Sequence, residues 1–161
     1  MAEQSKFQNN VTGKTTLPLY ATSGSGTMTS VGTTVTLTGT TLTALGIGKY
    51  AFIYSDANCE VRQITAVTST TVFEVSSAFT IALATETIRY INSYFFVGKI
   101  LNEGTTTFTT QQGDQATVTH TQPANYKKMI TFGDTTKVGA FPVAINGTST
   151  VLTVEEIISL S

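Results

Sequence analysis

The chain has 161 residues, a net charge of −1, 40% hydrophobic residues and only 12% charged ones. That length makes one medium domain or two small modules. A charge share about half the usual one, with no basic run, excludes a nucleic-acid binder that works through phosphates. No apolar run approaches the roughly 18 residues of a membrane helix, and Met1 to Asn10 lacks the charged-then-apolar order of a secretory leader.

Threonine sets the fold class. It makes up about a fifth of the chain, in short runs interleaved with single aliphatics, and its stiff β-branched side chain suits pleated, half-wet strands. Residues 1–23 read as an N-terminal arm. Gln4 to Leu19 has no sustained periodicity, and Ser23-Gly24-Ser25-Gly26 reads as a flexible joint. The few apolar residues of the arm predict that it is ordered only on a neighbouring subunit.

A β module is expected over 24–91. Thr33 to Thr38 alternates cleanly, with Val35 and Leu37 on one face. Lys49 to Tyr54 carries Tyr50, Phe52 and Tyr54 on one face and Ala51 and Ile53 on the other, so this strand is central or lies under an interface. Asp56-Ala57-Asn58 is a turn. Val61, Ile64 and Val67 are spaced by three, which a β-bulge in Glu60 to Val67 reconciles with β-rich flanks. Thr71 to Ser76 and Glu86 to Ile91 are further strands, with Ala78 to Thr85 a loop or a short helical turn between them.

Residues 92–161 form a second β module or continue the same sandwich. Tyr94 to Leu101 is apolar on both faces. Asn102-Glu103-Gly104 and Gln112-Gly113-Asp114 are turns around the strand Thr105 to Thr110. Gln115 to Thr121 and Lys127 to Phe132 follow as strands. Val138 to Ile145 is expected at a sheet edge because Pro142 cannot donate to a ladder. Asn146-Gly147 predicts a type I′ hairpin into Thr150 to Val154, and Val154 to Leu160 ends as a strand or a short helix. Many short strands with frequent turns make the fold all-β, a small antiparallel sandwich or barrel.

Residues able to do chemistry are sparse. His120 is the only histidine, and a triad would need Asp114 or Asp134 and a serine beside it, without the Gly-x-Ser-x-Gly elbow. Cys59 stands alone, and the neighbouring Glu60 disfavours a thiolate, so an inert thiol is expected. One His, one Cys and singly scattered acids supply neither a zinc nor a calcium site. No catalytic residue, metal or cofactor is assigned, and the chain is expected not to be an enzyme.

From Gly26 to Tyr90 the chain resembles a module of tailed-bacteriophage virion proteins. The likeness lies in Gly26-Thr27, the Thr-rich strand Thr33 to Gly39 and the Leu-x-x-Leu-Gly-x-Gly-Lys-Tyr segment from Leu42 to Tyr50. It continues through Glu60 to Val67, Ser69-Thr70-Thr71 and Val75-Ser76-Ser77-Ala78-Phe79. Gly48-Lys49 stands where that module commonly has Gly-Asp. The resemblance implies a small β-barrel or sandwich used as a building block in decoration proteins, fibres and head or tail components, and no catalytic residues. Two functional expectations follow. The first is a capsid or tail subunit, made in the host cytoplasm and built into the virion. It would be a homo-oligomer, a trimer on the strength of the resemblance, with Tyr50, Phe52, Tyr54, Tyr94 and Phe96 at the expected interface between subunits, and it would meet other virion proteins. The alternative is a fibre-tip module that stacks Tyr50, Phe52 and Tyr54 on a host glycan.

Overall fold

The computed structural model describes residues 3–17, 22–92, 95–102, 107–112, 116–121, 128–133 and 143–160. The chain divides into two compact units: Ala21–Asn92, and Met1–Tyr20 together with Ser93–Ser161. The first unit is thus inserted into the second. Twelve strands and one short helix account for the described secondary structure, so the all-β expectation holds.

The inserted unit is a closed antiparallel barrel. Its strands are β2 (Thr22–Val31), β3 (Thr34–Thr38), β4 (Phe52–Ser55), β5 (Glu60–Val67), β6 (Val72–Val75) and β7 (Glu86–Ile91), ordered β2-β3-β6-β5-β4-β7 with β7 returning to β2. Closure leaves every strand of the unit with two neighbours, which removes the exposed edges a weakly charged β protein cannot blunt. Alternation does the sorting predicted for Thr33 to Thr38: Val35 and Leu37 are buried while the threonines between and beyond them are not. Met28, Val35, Leu37, Ile53, Ile64, Phe73, Val75, Ile88 and Tyr90 fill the interior. Full burial of each large apolar side chain contributes about 1.5–3 kcal/mol.

Ser23 to Gly26 is not a joint. These residues lie inside β2, where the pairing with β7 shifts register between Ser23 and Thr27. Gly26 has φ 90, and a Cβ there would sit 2.5 Å from the Thr38 carbonyl oxygen, so only glycine lets the two backbones approach. The bulge expected in Glu60 to Val67 is present, as a register shift between Ile64 and Ala66 against β6.

The strand expected to open at Lys49 opens later. Leu42–Leu45 is a single helical turn, α1. Thr41 caps it by accepting from the Ala44 N–H at 3.0 Å, and Gly46 closes it in the left-handed conformation, φ 68. Leu42, Leu45 and Ile47 close one end of the barrel, and the Tyr90 hydroxyl donates to the Leu45 carbonyl at 2.5 Å. Lys49 and Tyr50 form a turn and not the start of a strand. Tyr50 has φ 72, which breaks the alternation, and β4 begins only at Phe52.

The second unit carries β1 (Glu3–Leu17), β8 (Phe95–Asn102), β9 (Thr107–Gln112), β10 (Val118–Thr121), β11 (Lys128–Gly133) and β12 (Val143–Leu160). Its sheet runs β10-β9-β12-β8-β11, with β1 also paired to β12, all antiparallel. Most of the expected arm is therefore strand: β1 pairs with β12 from Glu3↔Leu160 to Leu17↔Val143. Its polar sequence forms no core of its own, but ladder hydrogen bonds need only backbone.

Asn146-Gly147 makes no hairpin. Asn146 pairs with Thr109 and Lys14, and Gly147 with Phe108, so the chain does not fold back there and continues within β12. Beyond them β12 exchanges β9 for β8, whose pairing begins at Leu152↔Asn102, and the register against β1 shifts between Thr12 and Lys14. Val143 to Ile145 is correspondingly central, between β1 and β9, instead of at an edge. Pro142 and the expected turns at 103–104 and 113–114 lie outside the described residues.

Candidate functional site

The most elaborate polar constellation is buried at the barrel end opposite α1. Ile64 faces the core, so strand alternation turns Arg62 and Glu60 inward with it; β4 brings Ser55 and β7 brings Glu86 to the same level. Glu60 and Arg62 are 7% and 5% exposed. Such charges require partners. Glu60 accepts from the Thr80 N–H at 3.0 Å and from the Thr80 hydroxyl, and Arg62 Nη2 lies 3.4 Å from Glu60 Oε1. Arg62 also donates to the Ala78 carbonyl from Nη2 at 3.2 Å and to the Val61 carbonyl from Nη1 at 2.8 Å. Its guanidinium lies 5.3 Å from the centre of the Phe79 ring. The Ser55 hydroxyl donates to Glu86 at 2.9 Å.

These contacts hold one segment, residues 76–85, which crosses the barrel mouth without helix or strand. It inserts Phe79 and Leu83 into the core. Ser30 fixes its far side through paired bonds, Ser30 N–H to the Leu83 carbonyl at 3.1 Å and Leu83 N–H to Ser30 Oγ at 2.8 Å. The Asn58 side chain donates to the Ile81 carbonyl at 2.6 Å. The cluster spends these donors and acceptors on one another and on the chain's own backbone. Its chemistry is that of a latch, which seats a loop without secondary structure where backbone groups would otherwise be buried unpaired. From the sequence, Glu60 and Arg62 are strand residues, and Glu60 is weighed only against the Cys59 thiol, not as a partner of Arg62. The signal for more was two opposite charges at alternate positions on the inward face of Ile64.

The residues expected to form an interface part company. Tyr50 is 60% exposed, with the Lys49 ammonium 4.9 Å from its ring centre. Phe52 and Tyr54 are buried but lie outside the barrel's core cluster. They point away from Ile53, on the same side as their cross-strand partners Ile91 and Val61. Arg89 lies 5.1 Å from the centre of the Tyr54 ring and pairs with Asp56. Both faces of the shorter strand Phe52–Ser55 are buried, as predicted, but Tyr50 does not belong to either. Phe96 lies in β8 opposite Ile158, and Tyr94 is outside the described residues.

His120 stacks on Phe108, its direct cross-strand partner, with ring centres 4.9 Å apart. Its Nε2 is 2.8 Å from the Thr110 hydroxyl. Asp114 and Asp134, which a triad would require, lie outside the described residues. Cys59 is buried, with φ 55, at the end of the turn between β4 and β5. Among the described residues no group of three or more His, Cys, Asp and Glu side chains could hold a metal ion. No helix there is long and apolar enough to cross a membrane. No protein-family model, curated protein or solved structure matches the chain.

Proposed function

We propose that this chain is a structural subunit of a bacteriophage virion, a homo-oligomeric all-β building block that decorates or stabilises the capsid or tail. The observation that carries the reading is one of boundaries. The stretch that resembles virion modules, Gly26 to Tyr90, falls within the unit Ala21–Asn92, a closed barrel with its own core and both ends sealed by its own chain. A filled barrel whose buried charges hold its own loop is suited to bearing load and presenting surface. The low charge, 12%, fits a surface that assembly covers. A trimer is the expected order on the resemblance, and other virion proteins are the expected neighbours. The glycan-binding alternative now rests on Tyr50 alone, because Phe52 and Tyr54 are buried.

Two measurements test the proposal. Light scattering at micromolar concentration should give a discrete oligomer, and mass spectrometry of gradient-purified particles should find the chain at many copies. A stable monomer absent from the particles would overturn it.

A further inference from the structure

We propose that β1 is exchanged between subunits, so that the strand lying on β12 in the assembled protein comes from a neighbouring copy. The inference rests on the oligomeric reading above and starts from connectivity. Among the described strands β1 pairs with β12 alone, while the opposite edge of β12 is occupied by β9 and β8. β12 is the longest strand, 18 residues, and without β1 it bares a whole ladder edge. A second copy carries the same β1, and in the same register it satisfies the same backbone groups. Exchange therefore breaks no bond that it does not remake, and its balance is set by the connection and by concentration.

The connection is the second observation. β1 belongs to one compact unit and β2 to the other, yet only residues 18–21, Pro18-Leu19-Tyr20-Ala21, join them. Exchange of an identical element between copies across a connection this short is a low-cost route to a closed oligomer. Few apolar residues bind β1 to its own subunit: in Glu3–Leu17 they are Phe7, Val11 and Leu17.

Cysteine pairs placed across the ladder decide the matter. Val11 pairs with Leu152 and Asn10 with Thr153. Adjacent antiparallel pairs alternate between wide and close spacing, so one of the two positions suits a disulfide. The double variants Val11→Cys/Leu152→Cys and Asn10→Cys/Thr153→Cys would be oxidised in the full chain, run on non-reducing gels and mapped by peptide mass, with each single variant as control. Exchange predicts covalent oligomers in which the engineered bond joins two chains, and no such ladder from the single variants. Monomers carrying the bond internally overturn it. If light scattering still finds an oligomer, the subunit reading survives that result; a monomer by both methods sinks the two together. Failure of both pairs to oxidise refutes the register and the exchange with it.

Discussion

Removing the Glu60 carboxylate should unlatch the barrel mouth. In Glu60→Ala, Arg62, only 5% exposed in the parent, loses the carboxylate 3.4 Å away, and Thr80 loses the acceptor for both its N–H and its hydroxyl. Breaking a buried ion pair from one side costs about 3–5 kcal/mol. Arg62 keeps the Ala78 and Val61 carbonyls, which places the expected loss near the lower end, about 3 kcal/mol. Glu60→Gln keeps the shape and an acceptor but loses the charge, and should cost about 1–2 kcal/mol. Arg62→Met leaves Glu60 held by Thr80. The double variant Glu60→Leu/Arg62→Met should be less destabilised than the sum of Glu60→Leu and Arg62→Met by at least about 1 kcal/mol, because neither charge is left alone. The chain has no tryptophan, so urea unfolding would be followed by far-UV circular dichroism and tyrosine fluorescence. Amide exchange over residues 76–85 would read the loop directly, and Glu60→Ala should accelerate it more than exchange in β3. A Glu60→Ala variant within about 0.5 kcal/mol of the parent, or strictly additive single variants, would refute the latch.

Other consequences are as concrete. Gly26→Ala should cost about 2–3 kcal/mol, since its Cβ meets the Thr38 carbonyl at 2.5 Å in a left-handed backbone. Gly32→Ala, at φ 58 with open space around it, should cost only about 1 kcal/mol; equal urea midpoints for the two would contradict the close approach. Tyr50→Gly should remain within about 0.5 kcal/mol of the parent, because relief of φ 72 offsets the added freedom of the unfolded chain; a large loss would show that the exposed ring is a packing element. Residues 21–92 expressed alone should fold cooperatively, with a single urea transition seen by both probes, and a non-cooperative, dye-binding state would show that the barrel depends on the rest of the chain.

What the sequence determined by itself was local. Threonine runs with single aliphatics dictated strands, and period two placed Val35 and Leu37 inward in β3 without knowledge of any neighbour. The irregular spacing of Val61, Ile64 and Val67 pointed to a bulge, and a register shift does follow Ile64. It does not gather the three on one face: Val61 lies on the side of Tyr54, Ile64 is in the core and Val67 is exposed. The two apolar faces of the segment ending at Tyr54 were equally legible. What tertiary structure decided were pairings between residues distant in the chain. The polar β1 looked like an arm because its order comes from the backbone edge of β12, which no periodicity in β1 reports. Asn146-Gly147 carried a strong local turn signal, yet two flanking strands held it extended. Glu60 and Arg62 became a latch only when barrel closure brought Thr80 and Ala78 over them. Side-chain pattern is written residue by residue, whereas the partner of a backbone edge or a buried charge is chosen by the closed chain, where an unpaired group would cost more than any local preference.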